Sequence, residues 1–508
     1  MARRNIYCSL VFSAALFILS GSCFAAGILE TEALLLSFDA YLRHDLAIFK
    51  NVADLDSSIS DDTTAYTGLD YNLALTLRLK ESDTLVYLKA ERNGPYDYSA
   101  PLFVHNTLAN SGGRIEAYRR DELLPELEEF WIDLPLQRSS RLKAGLYLYE
   151  VGNGFALNGG YENYGLSYTL KSGDLFLRFY YCRPDLRNKN RLGPRVRQDK
   201  EQGIDYNHGA ENFFAADLKY ETDGGYLWPY IGVLSDHTSD GKRDNLFASP
   251  VKKDLLGTVG MAWRLAGQRC SFSLECARNF GKAESSDPGF KDVEHSGYLA
   301  YAGAEYYAGK LTPSLKFLCA SGNKSSEESA AAADTLLLSS KNRAFSYYSP
   351  LNGNLGDSIS SSNVDMLPIV AMGGGYGLNY GVPRPGTFSA GDFDNLLMPC
   401  IGADYAACQR LDISLYFYYL RSFARPVGMR EGEGVYLSRD LGWEADLLID
   451  YKLNSRLTLE FLAGYFLPGR FYRAVRDDTS GSILSPYVRG DGKADNAYQV
   501  ELCLAFKF

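Results

Sequence analysis

The sequence predicts an all-β protein, a transmembrane antiparallel up-and-down β-barrel of about eighteen strands with short periplasmic turns and long extracellular loops. Three observations predict it. In residues 497–508, Tyr498, Val500, Leu502, Leu504, Phe506 and Phe508 are apolar, while Gln499, Glu501, Cys503, Ala505 and Lys507 between them are polar or small. Strict alternation of this kind is a strand with one greasy and one wet face, of a length that crosses a bilayer at a tilt. Short and long connections also alternate along the whole chain, an asymmetry that an outer-membrane barrel enforces and a soluble sandwich does not. Lastly, no stretch beyond the N-terminal leader has the roughly eighteen uninterrupted apolar residues of a spanning helix, so strands must do the crossing.

The leader comes first. Arg3 and Arg4 precede an apolar run from Ile6 to Leu19, followed by the small-residue stretch Ser20 to Ala26. This reads as a signal peptide over residues 1–25, cleaved after Ala25, with the barrel occupying 26–508. The rival reading, lipidation of Cys23, has Ser20 where a lipoprotein signal wants Leu.

Hairpins follow. Residues 71–80 place Tyr71, Leu73, Leu75, Leu77 and Leu79 on one face and Asn72, Thr76, Arg78 and Lys80 on the other. A short turn at 81–83 leads into the next strand, and the same device recurs at 137–139, 171–174, 222–225, 266–269, 308–310, 406–409 and 453–455, each rich in turn-forming residues. Between them lie long polar connections at 47–66, 93–122, 150–163, 183–211, 237–254, 281–296, 322–393, 422–440 and 468–495. Eight short turns and nine long loops make about eighteen strands. The segment 322–393, rich in Ser, Ala, Asn and Gly, is either a floppy loop or one that folds inward to constrict the pore.

Composition agrees. The slightly negative mean hydropathy argues against helical membrane spans but not against a barrel, whose alternate residues face water. Tyrosine is abundant, with 37 residues, as expected where rings sit at membrane interfaces. A net charge of −10 excludes nucleic acid as a natural partner. The mature chain keeps an odd number of cysteines, which excludes a full disulfide framework; Cys400 and Cys408, flanking a hairpin turn, are the pair best placed to bridge.

Enzyme chemistry is thinly represented. The histidines, His44, His105, His208, His237 and His295, show no metal-binding spacing, and no phosphate loop or dinucleotide fingerprint is complete. The stretch Gly386 to Gly391 is one residue too long for a nucleophile elbow around Ser389, and Arg489, Gly490 and Asp491 read as a loop tip. No metal or cofactor is expected. The wet strand faces say more. Early strands carry Arg43, Arg78, Lys89, Arg141, Lys143, Lys171, Arg178, Lys219, Arg264 and Lys316, with Asp39, Glu91, Glu129, Asp133 and Asp217 among them, whereas the last strands carry mainly Asp404, Asp412, Glu444, Asp446, Asp450, Glu460 and Glu501. A closed barrel then has a basic or mixed wall facing an acidic one, and such a transverse field orients and captures charged solutes. The expected track is Arg43, Arg78, Lys89 and Arg178, with Arg141 and Lys143, against an opposing acidic wall of Glu91, Glu129, Asp446 and Glu444.

Two stretches carry a family resemblance. One has Phe130, Trp131, Ile132 and Asp133, then Leu142 to Tyr147, then Gly152, Asn153 and Gly154, and the returning strand Gly165 to Tyr168. The other has Leu441 to Asp446, Leu457 to Leu459, Gly464 to Gly469 and the terminal strand. In these the chain resembles the alginate export porins of the bacterial outer membrane, although Leu146 and Tyr147 follow Gly145 where that family has Arg and Gln. The resemblance implies passive passage of an anionic polysaccharide along arginine and lysine side chains. The resulting expectation is a monomeric outer-membrane channel for a polar or anionic saccharide, whose other partners are outer-membrane lipid and the assembly machinery. The alternatives are a general porin or a barrel that anchors a surface adhesin.

Overall fold

The structure is a computed structural model that describes residues 28–51, 55, 63–92, 95–96, 126–157, 164–183, 212–236, 251–285, 288, 291–322, 341–343, 368–372, 395–430, 433–474 and 494–507. The signal-peptide reading, most of 322–393, and the stretches around Ser389 and Arg489 lie outside the described residues.

The strands run β1 (Leu34–Lys50), β2 (Thr63–Leu79), β3 (Thr84–Arg92), β4 (Glu126–Gln137), β5 (Ser140–Leu146), β6 (Tyr164–Ser172), β7 (Leu175–Arg183), β8 (Asn212–Thr222) and β9 (Gly225–Asp236). They continue with β10 (Val251–Ala266), β11 (Cys270–Ser285), β12 (Tyr298–Tyr306), β13 (Leu311–Ala320), β14 (Leu396–Cys408), β15 (Leu411–Ser422), β16 (Asp440–Lys452), β17 (Leu457–Pro468) and β18 (Ala497–Lys507). Each pairs antiparallel with its neighbours in sequence, and β1 pairs with β18 from Tyr41 against Lys507 to Lys50 against Tyr498. The result is the closed barrel of eighteen antiparallel strands that the sequence predicts. Closure leaves no strand edge exposed, the only arrangement in which strands satisfy every backbone group within lipid.

Alternation decides which side chains face lipid. Outward-pointing Phe130, Ile132, Leu134, Phe214, Leu218, Val259, Met261, Ile401 and Phe417 remain exposed, as a surface against hydrocarbon requires. All eight short turns fall where the sequence puts them, at the rim that also holds Leu34 and Lys507. Four strands are longer than expected: β1 runs to Lys50, β2 begins at Thr63, β10 begins at Val251 and β11 runs to Ser285, all into residues that read as loop. There the alternation fades at Lys252 and Lys253, because a ladder rising above the apolar belt has water on both faces. Cys400 and Cys408 are not bridged; both lie on β14, and no disulfide forms among the described cysteines. Among the described residues no helix is long and apolar enough to cross a membrane.

Candidate functional site: the barrel lumen

The strand registers carry a row of cations and rings down one inner wall. Opposite pairs such as Trp131 with Gly145, Asp133 with Lys143 and Asp217 with Arg178 all point inward, since their neighbours Phe130, Phe179 and Phe214 point to lipid. Lys143 on β5 holds its Nζ 3.8 Å from the centre of the Trp131 ring and 4.2 Å from that of Tyr147. Arg178 on β7 lies 4.4 Å from the Tyr149 ring and 5.9 Å from Trp228. Lys219 on β8 lies 4.9 Å from Trp228 and 5.3 Å from Tyr226. Each cation–ring contact stabilises by about 0.5–2 kcal/mol and leaves the charge able to meet another anion.

Most cations of this wall also have carboxylate partners. Arg178 donates to Asp217 at 2.8 Å, Arg141 to Asp133 at 2.9 Å and to Asp83 at 2.9 Å, and Arg78 to Asp83 at 2.6 Å. Lys219 pairs with Glu221 at 2.7 Å, and Lys89 with Glu91. Lys143 differs: among the described residues no carboxylate lies within ion-pair distance of it, its close contacts are the two rings, and Glu129 and Asp133 act on it only from further off. In the turn at the rim, the two arginines hold the Asp83 carboxyl below its ordinary range.

The lumen is partly filled by chain that folds inward. After β5, residues 147–157 turn into the barrel, burying Tyr149, Val151, Phe155, Ala156 and Leu157 against Tyr180, Phe213 and Tyr301. Tyr149 stacks on Tyr180 with centroids 4.0 Å apart, and Phe155 lies 4.6 Å from Tyr301. Polar anchors fix this inner loop. Glu275 on β11, fully buried, accepts the Asn153 N–H at 2.7 Å and the Tyr230 hydroxyl at 2.6 Å. Asp217 accepts the Tyr149 hydroxyl and the Trp228 indole N–H, each at 2.8 Å. At the tip Gly152 adopts φ +66°, and a Cβ there would stand 3.0 Å from the Ala262 side chain and 3.1 Å from Glu275.

A second inward segment is the short helix α1 (Ile369–Met372), a piece of 322–393. Its first backbone N–H groups meet the inner face of β16: Ile369 donates to Asp446 at 3.0 Å, while Val370 and Ala371 donate to the two oxygens of Glu444 at 2.6 and 2.7 Å. Helix N-termini suit anionic partners. Gly464 on β17 lets α1 approach closely, for a Cβ there would meet Ile369 and Val370 at 2.9 Å.

The sequence-derived track is therefore dispersed. Arg43 is buried at the β1–β18 seam, bonded to Asp45 at 2.6 Å and to the Cys503 sulfur at 2.9 Å, so it belongs to a packed polar cluster rather than to an open track. Arg78 lies at the short-turn rim, and Lys89 lies in a close pair with Glu91. Arg178 is separated from these by β4 to β6, the middle one of which carries Arg141 and Lys143, so the four do not form one contiguous row. Glu91 and Glu129 stand on the basic wall itself, not opposite it; Glu129 accepts from the Trp131 indole at 3.1 Å. The reason is topological: in an up-and-down barrel, near in sequence means near on the wall. The opposing arc, β14 to β17, carries Asp404, Asp412, Glu444, Asp446, Asp450 and Glu460, but Glu444 and Asp446 are spent on α1. Sequence reading missed Glu275 and the inner loop. The available signal was a connection too apolar to be solvated, with Tyr147, Tyr149, Val151, Phe155 and Leu157 in one short run.

His295 pairs with Asp254 at 2.7 Å, with both side chains almost fully enclosed, so the pair is closed to a solute. Among the described residues no cluster of His, Cys, Asp and Glu could hold a metal ion.

No protein-family model matches the sequence, and no curated protein does. The barrel is similar to OccK9 (OpdG) of Pseudomonas aeruginosa, with 11% identity, a TM-score of 0.50, and coverage of 93% of this chain and 98% of that one. It also matches the outer-membrane protein opdK of the same organism, at 12% identity and a TM-score of 0.48, covering 93% and 98% of the two chains. A BenF-like porin from Pseudomonas fluorescens Pf-5 follows, at 9% identity and a TM-score of 0.48, again over 93% and 98%. At these identities the likeness to OccK9 shows a shared fold, the outer-membrane porin barrel, and nothing finer. The alginate export family does not appear among these neighbours.

Proposed function

We propose that this protein is a passive channel of the bacterial outer membrane for small polar anions, acidic carbohydrates foremost. The observation that carries the reading is Lys143, an ammonium with no carboxylate within ion-pair distance among the described residues, held between two rings on a wall shared with Arg141, Arg178 and Lys219. The apolar exterior supports the membrane, and closure within a single chain supports a monomer. The cations lie within a few residues of the short-turn rim, on strands diametrically opposed to the acidic arc, so an anion entering there is drawn to one wall. Ring faces beside ammonium and guanidinium groups suit a solute with an apolar sugar face and a carboxylate edge. The inner loop and α1 narrow the lumen, which favours single acidic sugars and short chains over a long polymer.

Reversal potentials across planar bilayers under a salt gradient, with galacturonate and oligogalacturonate as blockers, test this reading. The expected result is anion preference and concentration-dependent block by uronates, weakened in Lys143→Gln. A pore that prefers cations and ignores uronates would reject it and leave a general porin.

A further inference from the structure

A second cationic surface lies on the outside of the barrel, away from the solute pathway. On β15 the lipid-facing row Leu415, Phe417 and Tyr419 ends in Arg421, which is exposed. Its register partner is Asp440, at the start of β16, next to exposed Arg439, whose carbonyl accepts the Ser422 N–H at 2.8 Å. After β17 a one-turn helix, α2 (Arg470–Ala474), buries Phe471 and Tyr472 and turns Arg470 and Arg473 to the exposed side. The Arg470 backbone N–H donates to Asp440 at 3.2 Å, which brings Arg421 and Arg470 to that one carboxylate. Tyr419, two residues before Arg421 in the same row of β15, sets that cluster on the lipid-facing side.

The arginines are hardly neutralised. Arg470 is 81% exposed and comes no closer than 3.8 Å to Asp440, a weak pair, and Arg421 and Arg473 have no ion-pair partner among the described residues. Directly below them on the same face stand Trp443, tilted against Tyr419 with ring centroids 4.5 Å apart, with Tyr465 and Leu467, all well exposed apart from Tyr419. The patch therefore has an apolar aromatic floor at bilayer height and a rim of forked cations at the long-loop end. Arginine at that level matches phosphate bidentately, and rings there mark the interface between acyl chains and headgroups.

We propose that this face of β15 to β17 is a docking site for a phosphorylated lipid of the outer leaflet, its phosphates held by Arg421, Arg470 and Arg473 and its acyl chains laid over Trp443, Tyr465 and Leu467. The opposite charge of headgroup and rim, and the continuity of rim with apolar belt, select a lipid over a soluble anion. The proposal rests on the outer-membrane placement given above but not on the solute or on Lys143.

Native mass spectrometry of the full chain in detergent, titrated with diphosphoryl lipid A, tests it. Phosphatidylcholine and inorganic pyrophosphate serve as the comparison lipid and the competitor. Wild type should retain diphosphoryl lipid A over phosphatidylcholine. Arg421→Ala with Arg473→Ala should weaken retention roughly twenty-five-fold, two surface charges at about a factor of five each, and Arg421→Lys with Arg473→Lys should recover part of it. Heat-modifiable gel mobility confirms that each variant is a folded barrel, and unchanged single-channel conductance separates this site from the pathway. Equal retention by wild type and the double alanine variant would overturn the proposal. So would full displacement by pyrophosphate, or a dimer that the alanine pair dissolves.

Discussion

Replacing Glu275 with Ala should unfasten the inner loop without releasing it. The carboxylate accepts the Asn153 N–H and the Tyr230 hydroxyl in a fully buried position, so its removal takes this acceptor from both donors. Each such loss costs about 1–3 kcal/mol, or about 2–6 kcal/mol for the pair. Against this stands the burial of Val151, Phe155 and Leu157, at about 1.5–3 kcal/mol each and so about 5–9 kcal/mol together. Packing exceeds the lost clamp, so the loop should stay docked for most of the time and leave in excursions. In single-channel recordings, wild type should then show one steady level, and Glu275→Ala should flicker to a larger one. Glu275→Gln keeps one acceptor and should flicker less. Adding Phe155→Ser to Glu275→Ala removes the largest apolar contribution and should make the larger level dominant. If all four proteins share one level and one noise spectrum, the loop does not narrow the conducting path and the assignment of Glu275 is wrong.

The other predictions follow from the same contacts. Gly464→Val places a Cβ against Ile369 and Val370 of α1, so the helix should shift from β17 and conductance should rise, whereas unchanged conductance would remove α1 from the pathway. Lys143→Gln and Arg141→Gln each remove one charge and should shift the reversal potential alike, but uronate block should weaken more in Lys143→Gln, because Arg141 is already bound by Asp83 and Asp133. Arg43→Ala strands the buried Asp45 carboxylate and should destabilise the barrel by about 3–5 kcal/mol in guanidinium unfolding, with Arg43→Met plus Asp45→Leu recovering most of the loss. Acidification should weaken the Asp83 contacts at the rim. The folded-state pKa of Asp83 is depressed, so its contribution is present above the unfolded value and fades as pH falls through the folded one; Asp83→Asn should abolish that part of the pH dependence.

The architecture was legible because a barrel writes itself locally. Each strand announces its faces by alternation, as in Phe130, Ile132 and Leu134 against Glu129, Trp131 and Asp133, and each turn by its own residues. The same locality explains why the inward direction of Lys143, Arg178 and Glu444 could be read without coordinates. What each side chain meets could not. Glu444 and Asp446 look like pore-lining acids until α1, more than seventy residues earlier, is seen resting on them. Glu275 is one acid in an ordinary strand, and only the turn at Gly152 gives it a purpose. Inward-folded chain has no period to betray it, so its docking partners were hidden while the wall itself was visible.

The seam between β1 and β18 also bears on how the chain reaches this state. Every other pairing in the wall joins strands that follow one another in sequence, whereas the seam joins groups as far apart as Arg43 and Cys503, 460 positions along the chain. Closing a span of that length costs about 3 kcal/mol more than closing a ten-residue loop, since each doubling adds about 0.6 kcal/mol. Hairpins can therefore form early and independently, while the circle joins only once the last strand has arrived. Until then the sheet has two raw edges, each able to template on a neighbouring chain. The time spent open, rather than the strength of any hairpin, sets the hazard this protein runs on its way into the membrane, and it is the interval that an assembly partner would have to guard.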